Sequence, residues 1–270
     1  MIFSRDFEDK VLFITGASSG IGQKFFEEMT KRHPKALFFC VGRDMKKLEK
    51  SLSGVDCYVE TKLHVCDLTS RESVDSAVAE CLRYFGKIDE VYHFAGLSCW
   101  SSYEDSTHDL FEKLMMANFY STNNLLKRVL DPLRQSKGKF FITTSVQGII
   151  GVPFHAPYSA SKHAVEGLLR SVETEVPEID FHIIRPSWVS GTNMKSNALS
   201  SQGEKLSTTA HRSEKSGNAT SLEDAVKKII KYSEKPKSCP LYIPGKYFFL
   251  PALQMALPNL LKRLIKDKFK

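Results

Sequence analysis

The chain has 270 residues, 42% of them hydrophobic and 26% charged, a balance that fits a soluble globular protein and excludes collagen-like or disordered architectures. At this length a single α/β domain buries a sizeable core. The formal charge of +7 suits an anionic small molecule as well as an anionic surface, and much of it lies at the end, where Lys262, Arg263, Lys266, Lys268 and Lys270 face only Asp267. No nucleic-acid partner is expected.

In chain order, short apolar runs alternate with segments of helical period. Strands are predicted at Lys10–Ile14, Ala36–Val41, Tyr58–His64, Ile88–Phe94, Lys139–Thr143, Phe181–Ile184 and Pro240–Ile243, with helices near Ile21–Arg32, Met45–Leu52, Ser70–Tyr84, Asp109–Arg134, Tyr158–Val176 and Ser221–Tyr232. That alternation is the signature of a doubly wound parallel β-sheet with helices on both faces, a Rossmann-type α/β domain over residues 1–245. The segment 194–220, dense in Ser, Thr, Asn and Lys, is expected to be a substrate lid at the carboxyl ends of the strands. Residues 246–270 form an amphipathic, basic tail.

The cysteines, at 40, 57, 66, 81, 99 and 239, make no CxxC pair and no His/Cys cluster of metal-ligand spacing. No metal site is expected; reduced thiols in an intracellular, cytoplasmic protein are. The sequence shows no apolar leader and no run near the roughly 18 to 20 apolar residues of a membrane span. Asn218-Ala219-Thr220 is read as a chance glycosylation sequon.

Thr15-Gly16-Ala17-Ser18-Ser19-Gly20-Ile21-Gly22 follows the apolar strand VLFI and opens a helix. Glycines allow a tight turn and close backbone approach, and the helix start offers unpaired N–H groups and a positive dipole end to a pyrophosphate. The spacing differs from the Rossmann GxGxxG and resembles the TGxxxGIG turn of the short-chain dehydrogenases/reductases. Five further stretches resemble that family in the right order: Cys66-Asp67-Leu68, Asn118 in the long helix, Ser145 after FFITT, Tyr158-Ser159-Ala160-Ser161-Lys162, and Arg185-Pro186-Ser187-Trp188-Val189 followed by Thr192. The resemblance covers roughly residues 8 to 245. It implies a dinucleotide held by Gly16, Ser18, Ser19, Gly20, Ile21, Gly22, Asp67, Leu68, Ala95, Gly96, Pro186, Val189 and Thr192, with Tyr158 and Lys162 at its nicotinamide end. It also implies a homodimer or homotetramer built on two long helices. The family's NNAG is here His93-Phe94-Ala95-Gly96; His93 either replaces a tethering hydrogen bond, since imidazole both donates and accepts, or is a tolerated substitution.

The second strand runs into Gly42-Arg43-Asp44, so glycine stands where an acidic residue would bind the ribose of NAD(H). Arg43 suits a 2′-phosphate, and Asp44 suits an N-cap of the following helix; NADP(H) is therefore expected over NAD(H). Tyr158 and Lys162, four apart on a helix, share a face. A nearby ammonium and an oxidised nicotinamide would lower the phenol's pKa from its usual value near 10. The catalytic set expected is Ser145 to orient a substrate oxygen, Tyr158 as acid/base, Lys162 to hold the ribose and Asn118, by resemblance, to anchor a proton-relaying water.

Ser159-Ala160-Ser161-Lys162 also satisfies the SxxK pattern of penicillin-recognising enzymes, without the SDN or KTG elements that accompany it there.

Leu97, Trp100, Val146, Gly148, Ile149, Val152, Phe154, Trp188 and Met194 are expected around a largely apolar pocket, with His155 near it and His163 facing away. Such a lining favours a hydrophobic small-molecule carbonyl or alcohol of steroid, retinoid or long-chain ketone type, interconverted by hydride transfer. The competing reading is a non-catalytic dinucleotide-binding sensor or scaffold protein of the same fold. In the tail, Leu260, Leu261, Leu264 and Ile265 share a face opposite basic residues, so the tail is expected to touch a membrane surface peripherally or to pack in an oligomer. Tails of this kind resemble those of hydroxysteroid-type and other membrane-associated members of the family.

Overall fold

A computed structural model describes residues 7–54, 59–206, 219–235 and 239–268. Seven parallel strands form one sheet: β1 Val11–Thr15, β2 Leu37–Gly42, β3 Thr61–Val65, β4 Glu90–His93, β5 Lys139–Thr143, β6 Asp180–Pro186 and β7 Leu241–Ile243. Their order is β3-β2-β1-β4-β5-β6-β7, so the order reverses between β1 and β4, the position at which open α/β sheets bind ligands. The Rossmann-type expectation holds.

Strand periodicity explains the two-sided core. Val11 and Phe13 pack on one face with Val74 and Cys81 of α3 (Arg71–Phe85), Leu125 and Val129 of α5 (Ser121–Ser136), and Val165 and Leu169 of α6 (Ala156–Glu175). Leu12 and Ile14 pack on the other with Phe25, Phe26 and Met29 of α1 (Gly20–Arg32) and Val226, Ile229 and Ile230 of α7 (Leu222–Ser233). Both faces are covered, which is why the strands read as continuous apolar runs. Ser70 caps α3 by accepting the Ser73 N–H, Gly86 ends it at φ 77°, and Asp44 caps α2 (Met45–Leu52) by accepting the Lys47 N–H, as expected.

The long helix predicted at Asp109–Arg134 is three pieces: α4 His108–Leu114, a π-helical turn at Met115–Tyr120, and α5. A heptad-scale apolar pattern does not register one widened turn. The hydroxyls of Ser121 and Thr122 donate to the carbonyls of Ala117 and Asn118, both at 2.6 Å, and stabilise the widened backbone. Strand boundaries shift by a few residues from those predicted, as with β4, which starts at Glu90 rather than Ile88.

The tail departs from a free interfacial segment. A 3₁₀ turn at Gly245–Phe249 leads into α8 (Leu250–Ala256) and α9 (Pro258–Lys268), and Leu261 packs with Val146, Ile150, Tyr242 and Leu250. No helix among the described residues is long and apolar enough to cross a membrane. Cys40, Cys66, Cys81, Cys99 and Cys239 are free thiols; Cys57 and Asn218 lie outside the described residues, as does the 207–218 part of the expected lid.

Candidate active site

A cleft of about 330 Å³ lies along the carboxyl ends of the strands, where a parallel sheet brings all its βα turns together. Every residue expected to hold a dinucleotide lines it: Gly16, Ser18, Ser19, Gly20, Ile21 and Gly22 from the first turn; Arg43 after β2; Asp67 and Leu68 after β3; Ala95 and Gly96 after β4; Tyr158 and Lys162 on α6; and Pro186, Val189 and Thr192 after β6. Two of the glycines are sterically required. Gly16 has φ 69° and a Cβ there would lie 2.9 Å from Ala95 N, while a Cβ on Gly22 would lie 2.4 Å from the Gly16 carbonyl oxygen. Ser19 is the N-cap of α1 but its hydroxyl makes no cap bond, which leaves the N–H groups of the first turn to an anionic ligand.

The far end of this cleft is cationic. A Cβ on Gly42 would lie 3.1 Å from Leu48 Cγ, so that strand end is packed against α2. Asp44, engaged as a cap, is absent from the lining, whereas Arg43 and Lys47 are present there; Lys195, 5.0 Å over the Trp188 ring, and Lys205 line the cleft elsewhere, and Asp67 is the one carboxylate among the described lining residues. Asp67 Oδ1 accepts from the N–H and hydroxyl of Thr69, at 3.0 and 2.8 Å, which orients the carboxylate. Lys47 was not anticipated from sequence; its place one helical turn after Arg43 was the available signal.

His93 makes the tether. It is buried at 1% exposure, with Nδ1 2.9 Å from Thr15 Oγ1 and Nε2 3.0 Å from Thr122 Oγ1. The Thr122 hydroxyl donates to the Asn118 carbonyl and Thr15 Oγ1 accepts from Ala95 N–H. Because the Thr122 hydroxyl donates elsewhere, Nε2–H donates to Thr122, and in the neutral ring Nδ1 accepts from the Thr15 hydroxyl. Burial, followed by the positive charge of Lys162, pushes the imidazole pKa down to about 3. His93 thus ties the phosphate turn to the π turn that carries Asn118.

Asn118, 1% exposed, lies behind the cleft. Its Oδ1 accepts from Leu97 N–H at 2.8 Å, and its Nδ2 donates to the Leu97 carbonyl at 3.0 Å and to Ser161 Oγ at 2.9 Å. It therefore clamps the β4 loop to α6.

Ser145 follows β5, accepts the Gln147 N–H at 3.1 Å and donates to the Pro186 carbonyl at 3.4 Å. Lys162 Nζ donates to the Thr143 carbonyl at 3.2 Å and stands 5.8 Å from the centre of the Tyr158 ring. The strand end and the first two turns of α6 thus bring serine, tyrosine and lysine together. Burial pushes Tyr158 up to about 12, against the opposing effect of the neighbouring Ser145 hydroxyl. Burial likewise brings Lys162 down to about 8, opposed by the Glu166 carboxylate.

Behind this trio sits a buried ion pair that sequence reading missed. Glu166 accepts from Arg185 Nε at 2.8 Å, from Arg185 Nη2 at 2.6 Å and from Thr144 Oγ1 at 2.8 Å, and Arg185 Nη1 donates to the Tyr242 hydroxyl at 2.8 Å. The available signal was a glutamate one turn after Lys162.

A second, apolar cavity of about 290 Å³ meets the first at Ser145, Tyr158, Ser187, Trp188 and Met194. Val146, Val152 and His155 line it as expected. Leu97 lines the dinucleotide cleft instead, and Trp100 stacks on Phe154 at 5.2 Å outside the cavity lining. Gly148 is packed under α6, where a Cβ would lie 2.8 Å from Glu166 Cγ, and Ile149 packs beneath the tail. His163 is exposed and bonds back to the Ser159 carbonyl. Met194, Lys195, Asn197 and Lys205, in the described part of the expected lid, border the first cleft. No cluster of potential metal ligands occurs among the described residues.

Known proteins share this arrangement. A family model described as short chain dehydrogenase matches residues 10–203. The chain is 31% identical over 208 residues to a zebrafish (Danio rerio) dehydrogenase/reductase SDR family member 7B, covering 73% of this chain and 66% of the relative. It is 32% identical to human (Homo sapiens) dehydrogenase/reductase SDR family member 7, covering 78% of this chain and 64% of that protein. The matched segment thus spans slightly under two thirds of the length of each of these two relatives. In fold it superposes on an alcohol dehydrogenase from the archaeon Thermococcus sibiricus complexed with 5-hydroxy-NADP, with TM-score 0.72 and 24% identity over 86% of this chain and 94% of that one. A short chain dehydrogenase/reductase from Burkholderia phymatum in complex with NAD gives TM-score 0.80 at 17% identity over 95% and 96% of the two chains. With the family model covering most of the sheet and both halves of the site, the chain belongs to the short-chain dehydrogenase/reductase family of oxidoreductases.

Proposed function

We propose that the protein interconverts a hydrophobic carbonyl compound and a secondary alcohol with NADP(H), with Tyr158 as acid/base. The observation that carries this reading is that Ser145 and Tyr158 line both the cationic cleft and the apolar cavity, so a donor in one and an acceptor in the other would meet at their hydroxyls. The donor set fits a phosphorylated dinucleotide: free N–H groups at the start of α1 for a pyrophosphate, Asp67 for the adenine end, and Arg43 with Lys47 for a 2′-phosphate. A bound NADPH would supply a hydride to the carbonyl carbon. Ser145 would hold the carbonyl oxygen and Tyr158 would donate its proton to it. Lys162, charged and held by the Thr143 carbonyl, would hold the nicotinamide ribose and ease the passing charge on the phenolate. Asn118 would keep the Leu97 loop and α6 in register.

The same proposal includes a homodimer on the α5 and α6 faces, supported by the exposed Met116 and Tyr120 on the helix leading into α5. It also includes peripheral membrane contact by the outer side of the tail, where Phe248, Phe249, Leu257 and Leu260 are exposed beside Lys262, Arg263 and Lys266. The test of the chemistry is Tyr158→Phe: NADPH affinity by fluorescence titration stays close to wild type while ketone-dependent NADPH oxidation is lost. A folded variant with unchanged turnover overturns the mechanism.

A further inference from the structure

The face of α9 expected to meet a membrane or a second copy instead turns partly inward. Leu261 is 3% exposed, and Leu261, Leu264 and Ile265 line the apolar cavity together with Leu250 and Leu253 of α8. We propose that α8 and α9 are the far wall of the substrate site and set the length of an aliphatic chain carried by the carbonyl substrate. This rests on the reaction proposed above and narrows its substrate to compounds with an unbranched hydrocarbon tail.

The cavity is continuous from the reacting end to the tail, because one set of lining residues includes Ser145 and Tyr158 as well as Leu261. Apart from Tyr247 of the 3₁₀ turn, its polar side chains belong to the reacting end. Gln147 Oε1 accepts from Ser159 Oγ, next to Tyr158, and His155 stands edge-on to Tyr158 and Trp188 with ring centres 6.4 and 6.0 Å away. The two tail helices contribute only leucine and isoleucine side chains. A second oxygen at the far end of a steroid or retinoid would find no partner on these two helices, a cost that a hydrocarbon chain avoids.

The wall is also held in register with the chemistry. Leu261 and Ile265 pack on Val146 and Ile150, and Val146 directly follows Ser145. Leu264, 53% exposed while lining the cavity, stands at its mouth, and the charges of Lys262, Arg263 and Lys266 remain outside. A chain that reaches Leu261 exchanges water for aliphatic contacts methylene by methylene. It stops gaining when it meets the helix.

The test is the chain-length profile of kcat/KM for NADPH-dependent reduction of straight-chain 2-alkanones by the full-length protein. For the unaltered protein kcat/KM should climb about fourfold for each added methylene and then break to a plateau. Leu261→Ala should move the break to longer chains and Leu261→Phe to shorter ones, with Ile265→Ala repeating the first effect should Leu261→Phe fail to fold by thermal melting. A break at the same length in every folded variant overturns the inference. Binding of the same ketones, read by quenching of Trp188 fluorescence, is independent of turnover. With steroid and retinoid ketones run in the same assay, reduction of none of these carbonyl compounds overturns the proposed reaction; reduction of the ring ketones but not the alkanones, or alkanone reduction or binding with no break that moves with residue 261 or 265, overturns the tail inference alone.

Discussion

His93→Asn puts back the residue that the family pattern carries, and its largest effect should be on acid stability. In the folded protein the imidazole is neutral, with a pKa near 3, because its surroundings exclude charge and its two neighbours take one donor and one acceptor. The unfolded chain binds a proton at an ordinary histidine pKa near 6.5. Between those values the unfolded state holds more protons, so stability contributed by a neutral His93 is complete above the unfolded pKa and is lost as pH falls from there toward the folded value. At about pH 5 the loss is about 1.5 pH units of proton binding, or ~2 kcal/mol. Asparagine does not titrate, so the variant should lose about 2 kcal/mol less than the unaltered protein between neutral pH and about pH 5. Its stability at neutral pH should be slightly lower, since one carboxamide replaces a ring that spans Thr15 and Thr122. Urea unfolding at both pH values, compared through midpoints with the slopes checked for constancy, measures this. Equal acid losses in the two proteins would refute the assignment of a neutral, buried His93.

Two more perturbations probe the rest of the site. Glu166→Gln strands Arg185 without its counterion at a position where the pair is 2% and 7% exposed, so we expect a loss of about 3 to 5 kcal/mol in urea unfolding. Glu166→Leu combined with Arg185→Met should recover most of that loss, and strictly additive single effects would argue against a coupled pair. In the cationic end of the cleft, Arg43→Ala and Lys47→Ala should each raise the KM for NADPH roughly tenfold, the loss of one charge-assisted contact, while leaving the KM for NADH within about twofold. Equal changes for both cofactors would show that these side chains do not contact the 2′-phosphate.

The sheet and the cleft along its carboxyl edge were legible because they depend on local rules. Apolar runs buried on both faces, a glycine turn between strand and helix, and the i, i+4 spacing of Tyr158 and Lys162 each follow from the sequence over a few residues. What was hidden depends on contacts between distant segments. The π turn at Asn118 is stabilised by hydroxyls that look like ordinary helix-surface residues, and the Glu166–Arg185 pair joins α6 to β6 across positions 19 apart. The path of the tail was hidden for a related reason. Amphipathicity shows that α9 has an apolar face, but the partner of that face is set by the path of the chain after β7, which Pro244, Pro251 and Pro258 bend back over the Ser145 turn.

Titration of the reacting trio bears on the direction of the proposed reaction. Burial holds the phenol protonated well above neutrality, up to about 12, and Lys162 sits near 8, so around neutral pH the pair is a neutral acid beside a cation. That is the state needed to protonate an alkoxide, and no proton has to be removed to reach it. Alcohol oxidation asks for the opposite, a phenolate, which the buried site disfavours and only added positive charge would stabilise; the oxidised nicotinamide carries such a charge and the reduced one does not. Reduction uses the protonation state that the fold itself enforces, and oxidation uses one that the proposed cofactor must induce.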